Sequence, residues 1–247
     1  VGKSTIALNL ACQLSKTFKV GILDLDIYGP SLPILTGVNI RPKIDENKKI
    51  DPIEKFGVKL MSFGFINNEN TTTIWRGPMV SRMTQQFFED VNWGDLDYLI
   101  LDLPPGTGDI QLTLLQKIII TGAIIVTTPQ DLALLDVRKG ADMFRKVNAD
   151  VIGVVENMSG LFLSGHVKDK NNQIIRDGKI FLNEQNEYLD IKEGVFKYSF
   201  NLISGDGGLS ESKRLNVNLL GQLPFDPKLL KASDSGSPFV INNNGTL

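Results

Sequence analysis

Apolar blocks of strand length, at residues 19–24, 58–63, 98–103, 123–128, 151–156 and 218–223, recur along the chain with helix-patterned segments between them. Each block is rich in Val, Ile and Leu and lacks strict polar alternation. That is the pattern of a strand buried on both faces, and such strands belong to a parallel sheet covered by helices. Ala7, Leu10, Ala11 and Leu14 fall at helical spacing, and residues 79–91, 110–119 and 132–147 read as further helices. Turn or cap residues such as Asp131 and Gly153 mark the element ends. The expected fold is α/β: a doubly wound, mostly parallel sheet with helices on both faces, forming a single domain over residues 1–247. Residues 161–200 break the rhythm. They are polar and irregular, with Lys168-Asp169-Lys170-Asn171-Asn172 followed by short alternating runs such as Lys179-Ile180-Phe181-Leu182, and they read as an inserted hairpin segment on the edge of the domain.

Charge and cysteine usage narrow the function classes. The 247 residues carry 26 Lys+Arg against 28 Asp+Glu, a net charge of −2, so no global positive field gathers phosphate backbones and no nucleic-acid partner is expected. One cysteine makes neither an intramolecular disulfide nor a complete iron–sulfur cage within one chain, which points to a reducing, cytoplasmic setting. No apolar run approaches the ~18 residues of a membrane helix, so no membrane partner is expected. The chain opens inside a glycine-led turn with no strand before it, which predicts truncation within a phosphate loop and leaves room for an organellar targeting segment before Val1.

Three segments carry chemistry. Gly2-Lys3-Ser4-Thr5 is the second half of a phosphate-binding loop, G-x-x-x-x-G-K-[ST], running straight into a helix. In that arrangement backbone N–H groups at the helix start hold oxyanions, the Lys3 ammonium reaches the β- and γ-phosphates, and the Ser4 hydroxyl coordinates Mg²⁺. Asp24-Leu25-Asp26 ends the next strand at the sheet edge where open α/β folds bind ligands, and a carboxylate there can organise an attacking water or the magnesium shell. Asp97 to Asp102 is an apolar strand ending in an acid, a Walker B pattern that places Asp102 on Mg²⁺ directly or through water. The Leu103-Pro104-Pro105-Gly106-Thr107-Gly108-Asp109 that follows fixes a turn in which the Gly106 N–H can meet the γ-phosphate. The bland alternatives are a helix cap at Ser4, turn-capping aspartates at 24 and 26, and a structural Pro-Pro-Gly turn.

Trp93-Gly94-Asp95-Leu96-Asp97 through Asp109 resembles the signature of the Mrp/NBP35 family of P-loop ATPases, the ApbC-like iron–sulfur cluster carriers. The likeness continues through Asp24 to Ser31, Trp75-Arg76-Gly77-Pro78-Met79, Glu156-Asn157-Met158-Ser159 and Leu220 to Pro227. The resemblance implies a homodimeric, Mg-dependent ATPase of the deviant Walker A class, related to MinD, ParA and nitrogenase iron protein, that hydrolyses ATP to ADP and phosphate and serves iron–sulfur assembly or recipient proteins. It also implies roles residue by residue. Gly2, Lys3, Ser4 and Thr5 bind phosphate and Mg²⁺, Asp26 is the hydrolysis-linked switch I carboxylate, and Asp102 with Gly106 forms switch II. Asn157 matches the adenine-contacting Asn, and Pro224 and Asp226 lie on the loop that closes over the base.

The chain departs from the family where cluster carriers place a Cys-x-x-Cys shortly after the Asn-Met-Ser segment. Here Gly160 to His166 and then the insertion follow. His166 is the one imidazole and reads as a solvated loop residue, while Cys12 sits on the apolar side of the first helix as a core residue. An iron–sulfur cluster is therefore a property of the resemblance and not of these residues. The readings kept beside the carrier are a MinD/ParA-like positioning ATPase and a nucleotide-binding regulatory member of the family that carries no cluster.

Overall fold

The structure, a computed structural model, describes residues 1–66, 77–106, 111–112, 115–116, 118–201 and 205–242. Trp75-Arg76, Thr107-Gly108-Asp109 and, within the helix expected at 110–119, residues 110, 113, 114 and 117 lie outside the described residues; 111–112 and 115–116 are helical.

Helix α1 (Lys3–Leu14) leads to strand β1 (Val20–Asp24), whose residues are all buried. After α2 (Leu32–Thr36), β2 (Lys43–Ile44), β3 (Ile50–Asp51) and β4 (Ile53–Lys55) comes β5 (Val58–Ser62), then α3 (Phe63–Ile66), α4 (Gly77–Glu89) and β6 (Tyr98–Asp102). Strands β5 and β6 flank β1, both parallel to it, with β4 antiparallel on the outer side of β5. Because alternate side chains of a strand face opposite ways, Val20 and Ile22 pack with Leu8, Ala11 and Cys12 of α1, while Leu23 packs with Met61, Val80 and Phe87 towards α4. Helices thus cover both faces, as the unbroken apolar blocks predict.

The rest of the chain builds a second sheet. β7 (Ala123–Thr127), α5 (Asp131–Lys146), β8 (Val151–Gly165), β9 (Gly178–Leu182), β10 (Glu187–Lys192), β11 (Val195–Phe200), α6 (Gly207–Leu215) and β12 (Asn218–Phe225) follow in order, then α7 (Pro227–Asp234) and α8 (Phe239–Asn242). β7 and β12 lie parallel on either side of the first half of β8. Ala141 and Phe144 of α5 and Leu215 of α6 pack on this sheet with Ala123, Ile125 and Val154. Leu103, just past β6, packs against the clusters of both sheets.

Strand β8 is more than twice as long as the apolar block at 151–156. Its second half pairs antiparallel with β11, which pairs with β10 and that with β9, so the insertion is a sheet extension and not a detached hairpin. Met158 takes a left-handed φ of 58° where β8 passes from domain to extension, a conformation that L residues other than Asn and Asp seldom adopt. Gly153, read as an element end, lies inside β8 under the Leu220 side chain. No described helix is long and apolar enough to cross a membrane.

Candidate nucleotide-binding site

Parallel pairing puts the C-terminal ends of β1, β5 and β6 on one edge in register, with Asp24 opposite Ser62 on one side and Asp102 on the other. Leu25 N–H donates to the Asp102 carbonyl at 3.0 Å, so the chain leaves β1 still tied to β6. The start of α1 reaches this edge and brings Lys3 and the Ser4 hydroxyl towards the Asp102 carboxylate. Gly2 caps α1 in the left-handed region at φ 82°, and a Cβ there would meet Asn157 Nδ2 at 2.5 Å, so both conformation and space require glycine. Asn157, near the middle of β8, donates Nδ2 to the Val1 carbonyl at 2.9 Å.

Asp24 is fully buried and organises the loop after β1. Its Oδ1 accepts from Asp26 N–H at 3.0 Å, and its Oδ2 accepts from Ser31 N–H, Leu32 N–H and the Ser62 hydroxyl at 3.0, 3.1 and 3.0 Å. Asp26, half-buried, accepts from Tyr28 and Gly29 N–H, both at 3.1 Å, in an Asx turn that holds its carboxylate at the loop start. The spacing Asp24-Leu25-Asp26 marked both acids, but the part played by Asp24 depends on Ser62, which is distant in sequence and carries no motif.

Burial pushes the Asp102 carboxyl up to about 6; the Ser4 hydroxyl and Lys3 pull it down, while Asp24 and Asp26 push it further. Asp24 is raised as well, chiefly by burial, against the N–H groups of Asp26 and Leu32 and the Ser62 hydroxyl. A cluster of mutually repelling carboxylates beside a serine hydroxyl is a hard-oxygen donor set, and a divalent cation would relieve the repulsion. Ser4, Asp26 and Asp102 therefore fit Mg²⁺, whereas no group of three or more His, Cys, Asp or Glu among the described residues is already arranged as a metal site.

Gly106 sits exposed at φ 91° in the turn after β6, with open space where a Cβ would be. Gln111 donates its side-chain amide to the Pro104 carbonyl, bracing that turn from a helical segment; no motif singled it out. Asp226 caps α7, accepting from Lys228 N–H at 2.7 Å, and Pro224 lies in β12 just before it, so at these two the geometry displays a helix start. Cys12 is buried with its thiol pushed up to about 12, the behaviour of a core residue. His166 is exposed, its Nδ1 lying 2.6 Å from the Gly194 carbonyl.

Comparisons with known proteins give the family. A family model for the NUBPL iron-transfer P-loop NTPase matches residues 1–189. The chain is 42% identical over 247 residues to an iron-sulfur cluster carrier protein of Aquifex aeolicus, covering 98% of this chain and 59% of that protein. It is 38% identical to the iron-sulfur cluster transfer protein NUBPL of Mus musculus, covering 100% of this chain and 69% of that one. Among solved structures, a nucleotide-binding protein from Archaeoglobus fulgidus in complex with ADP superposes with a TM-score of 0.68 at 29% identity, covering 100% of this chain and 88% of that one. The chain thus spans about three-fifths of its Aquifex relative, and with a family model matched from the phosphate loop into the extension it belongs to the NUBPL iron-transfer P-loop NTPases.

Proposed function

We propose that this protein binds ATP at the edge formed by α1, β1 and β6, hydrolyses it to ADP and phosphate, and uses the cycle to open and close a homodimer in iron–sulfur cluster transfer. The observation that carries this reading is the convergence of the α1 N-terminus, through Lys3 and Ser4, with Asp24, Asp26 and Asp102. The first-turn N–H groups at Lys3, Ser4 and Thr5 have no intrahelical partner and offer donors to phosphate oxygens, with the helix dipole adding positive character. Lys3 supplies a full charge to the β- and γ-phosphates, and Gly106 offers its N–H to the γ-phosphate. Asp26, held by Tyr28 and Gly29, accepts a hydrogen bond from the attacking water and aligns it with the phosphorus. Asn157, Pro224 and Asp226 form the base end. Mg²⁺, held by Ser4, Asp26 and Asp102, would neutralise the phosphate oxygens as charge develops on them.

Removing Lys3 by Lys3→Ala lowers ATP turnover by on the order of a hundredfold, the loss typical of one preorganised electrostatic donor. Asp26→Ala loses turnover while keeping ATP binding, and traps the closed dimer in light scattering with ATP. Wild-type turnover in both variants would sink the reading.

The cargo half rests on the named relatives. A second reading, a member of the family that switches with nucleotide and carries no cluster, is favoured by one observation: the single cysteine is a buried, protonated core thiol. Anaerobic reconstitution with iron and sulfide separates the two, since cluster-based visible absorbance supports the carrier and its absence supports the second reading.

A further inference from the structure

The sheet extension has two unlike faces. Directly paired residues of neighbouring strands point the same way. Phe181 pairs with Tyr188 and Phe162 with Ser199, and continuing the Ile191–Phe196 and Lys192–Val195 register sets Tyr188 beside Ser199. Phe162, Ser199, Tyr188 and Phe181 thus form one row across all four strands on the outer face. Phe162 is 64% exposed, Tyr188 68% and Phe181 44%, with the small Ser199 between two of the rings. The next row on this face, by the same register, is Ser164, Lys197, Asp190 and Lys179. The opposite face carries Leu161, Ile180, Leu189, Ile191 and Tyr198, all buried or half-buried, beside Leu163, which is 48% exposed.

We propose that the outer face is a docking surface for an extended acidic segment of a partner protein, one that carries apolar side chains between its carboxylates. Aromatic rings are what partner surfaces concentrate, and here three stand exposed in one row against which an apolar side chain can pack. Charge supplies the sign of the partner. Asp190 lies 4.0 Å from Lys192, which leaves Lys179 and Lys197 with no carboxylate within ion-pair distance among the described residues. Lys179, Lys192 and Lys197 share this face with Asp190 as the one carboxylate in their rows, so on a chain of net charge −2 they form a local patch opposite in sign to the whole molecule. Such a patch suits a short acidic segment, whereas a polyanionic nucleic acid meets the repulsion of the rest of the chain. The rings point the same way: Phe181 and Tyr188 pack on each other at 4.9 Å between centroids, and Lys179 lies 5.8 Å from the Tyr188 centroid, so a base finds no free pair of faces to stack between. The proposal is independent of nucleotide chemistry, because its residues lie on β8 to β11 and none belongs to the nucleotide-binding edge.

The test is fluorescence anisotropy of a short labelled peptide alternating Glu and Leu, added to the full chain without nucleotide. Saturable binding is expected, weakened about tenfold by Phe162→Ser with Tyr188→Ser. A comparable loss is expected for Lys179→Glu with Lys197→Glu, and added salt weakens the wild type more than this second variant. All four side chains are exposed, so the thermal melts of the variants should match the wild type. The proposal is overturned if the acidic peptide fails to bind, if its affinity is unchanged in both variants, or if a Lys–Leu peptide binds equally well. Displacement of the peptide by oligouridylate bound more tightly through the same residues would overturn it in favour of nucleic acid.

Discussion

At the scale of single residues, the site is built against its own stability. Asp102 has its carboxyl raised from 3.8 to about 6 by burial, so between those values the native state holds a proton that the unfolded chain has released. Stability is therefore fully present below about pH 4 and declines as pH rises through about 6, the opposite of the usual salt-bridged carboxylate. With nucleotide absent and a chelator present, Asp102→Asn should stabilise the protein near neutral pH by up to about 3 kcal/mol, and the gain should vanish in acid. Urea unfolding at the two pH values measures it; a loss of stability near neutral pH would mean that the pull of the Ser4 hydroxyl outweighs burial. Asp102 was legible in the sequence because an acid ending an apolar strand is a local pattern. The reason its ionisation is costly was not, because Asp24, Asp26 and Lys3 reach it from other segments.

At the scale of elements, α6 is joined to α5 by charge placed where water is scarce. Glu211 is fully buried and takes a two-point contact from Arg214, Nε to Oε2 at 2.9 Å and Nη2 to Oε1 at 2.7 Å, while Arg138 Nε approaches Oε2 at 3.5 Å from α5. Removing one partner of a buried pair leaves a bare charge, whereas replacing both by apolar groups costs little. Arg214→Ala should destabilise the chain by about 3 kcal/mol, and Glu211→Leu with Arg214→Leu by much less. A larger loss in the double variant, read from urea midpoints, would contradict this. The helices and strands that periodicity singled out moved by a residue or two at their ends in α4, α5 and β7, while α6 and the short elements α2, β2, β3 and β4 carried no periodic signal. The exception is β8, because its polar, irregular second half is held by antiparallel pairing to β11, and pairing partners are invisible to a local pattern.

At the scale of the whole molecule, the strands divide by what covers them. β1 is buried on both sides by helices, while β9, β10 and β11 pack chiefly on one another and on β8. Few covering contacts mean a low cost of local opening. Amides of β9–β11 should therefore exchange at least about tenfold faster than those of β1 in native-state hydrogen exchange, with nucleotide binding protecting α1 and the loop after β1 and leaving β9 unchanged. Equal protection of β1 and β9 would show the extension to be part of the core. The sequence by itself determined the α/β class, the Gly2-Lys3-Ser4-Thr5 helix start and the acids at strand ends, since each is written in neighbouring residues or in a repeat of fixed period. Only the tertiary structure decided that Ser62 and the Ser31–Leu32 backbone share the Asp24 carboxylate, that Ser4 meets Asp102, and that Asn157 meets Val1. It also decided that Phe162, Tyr188 and Phe181 share one exposed face. These are consequences of sheet order and register, which are settled by competition among long-range pairings and by the burial each one achieves, and no stretch of neighbouring residues encodes that outcome.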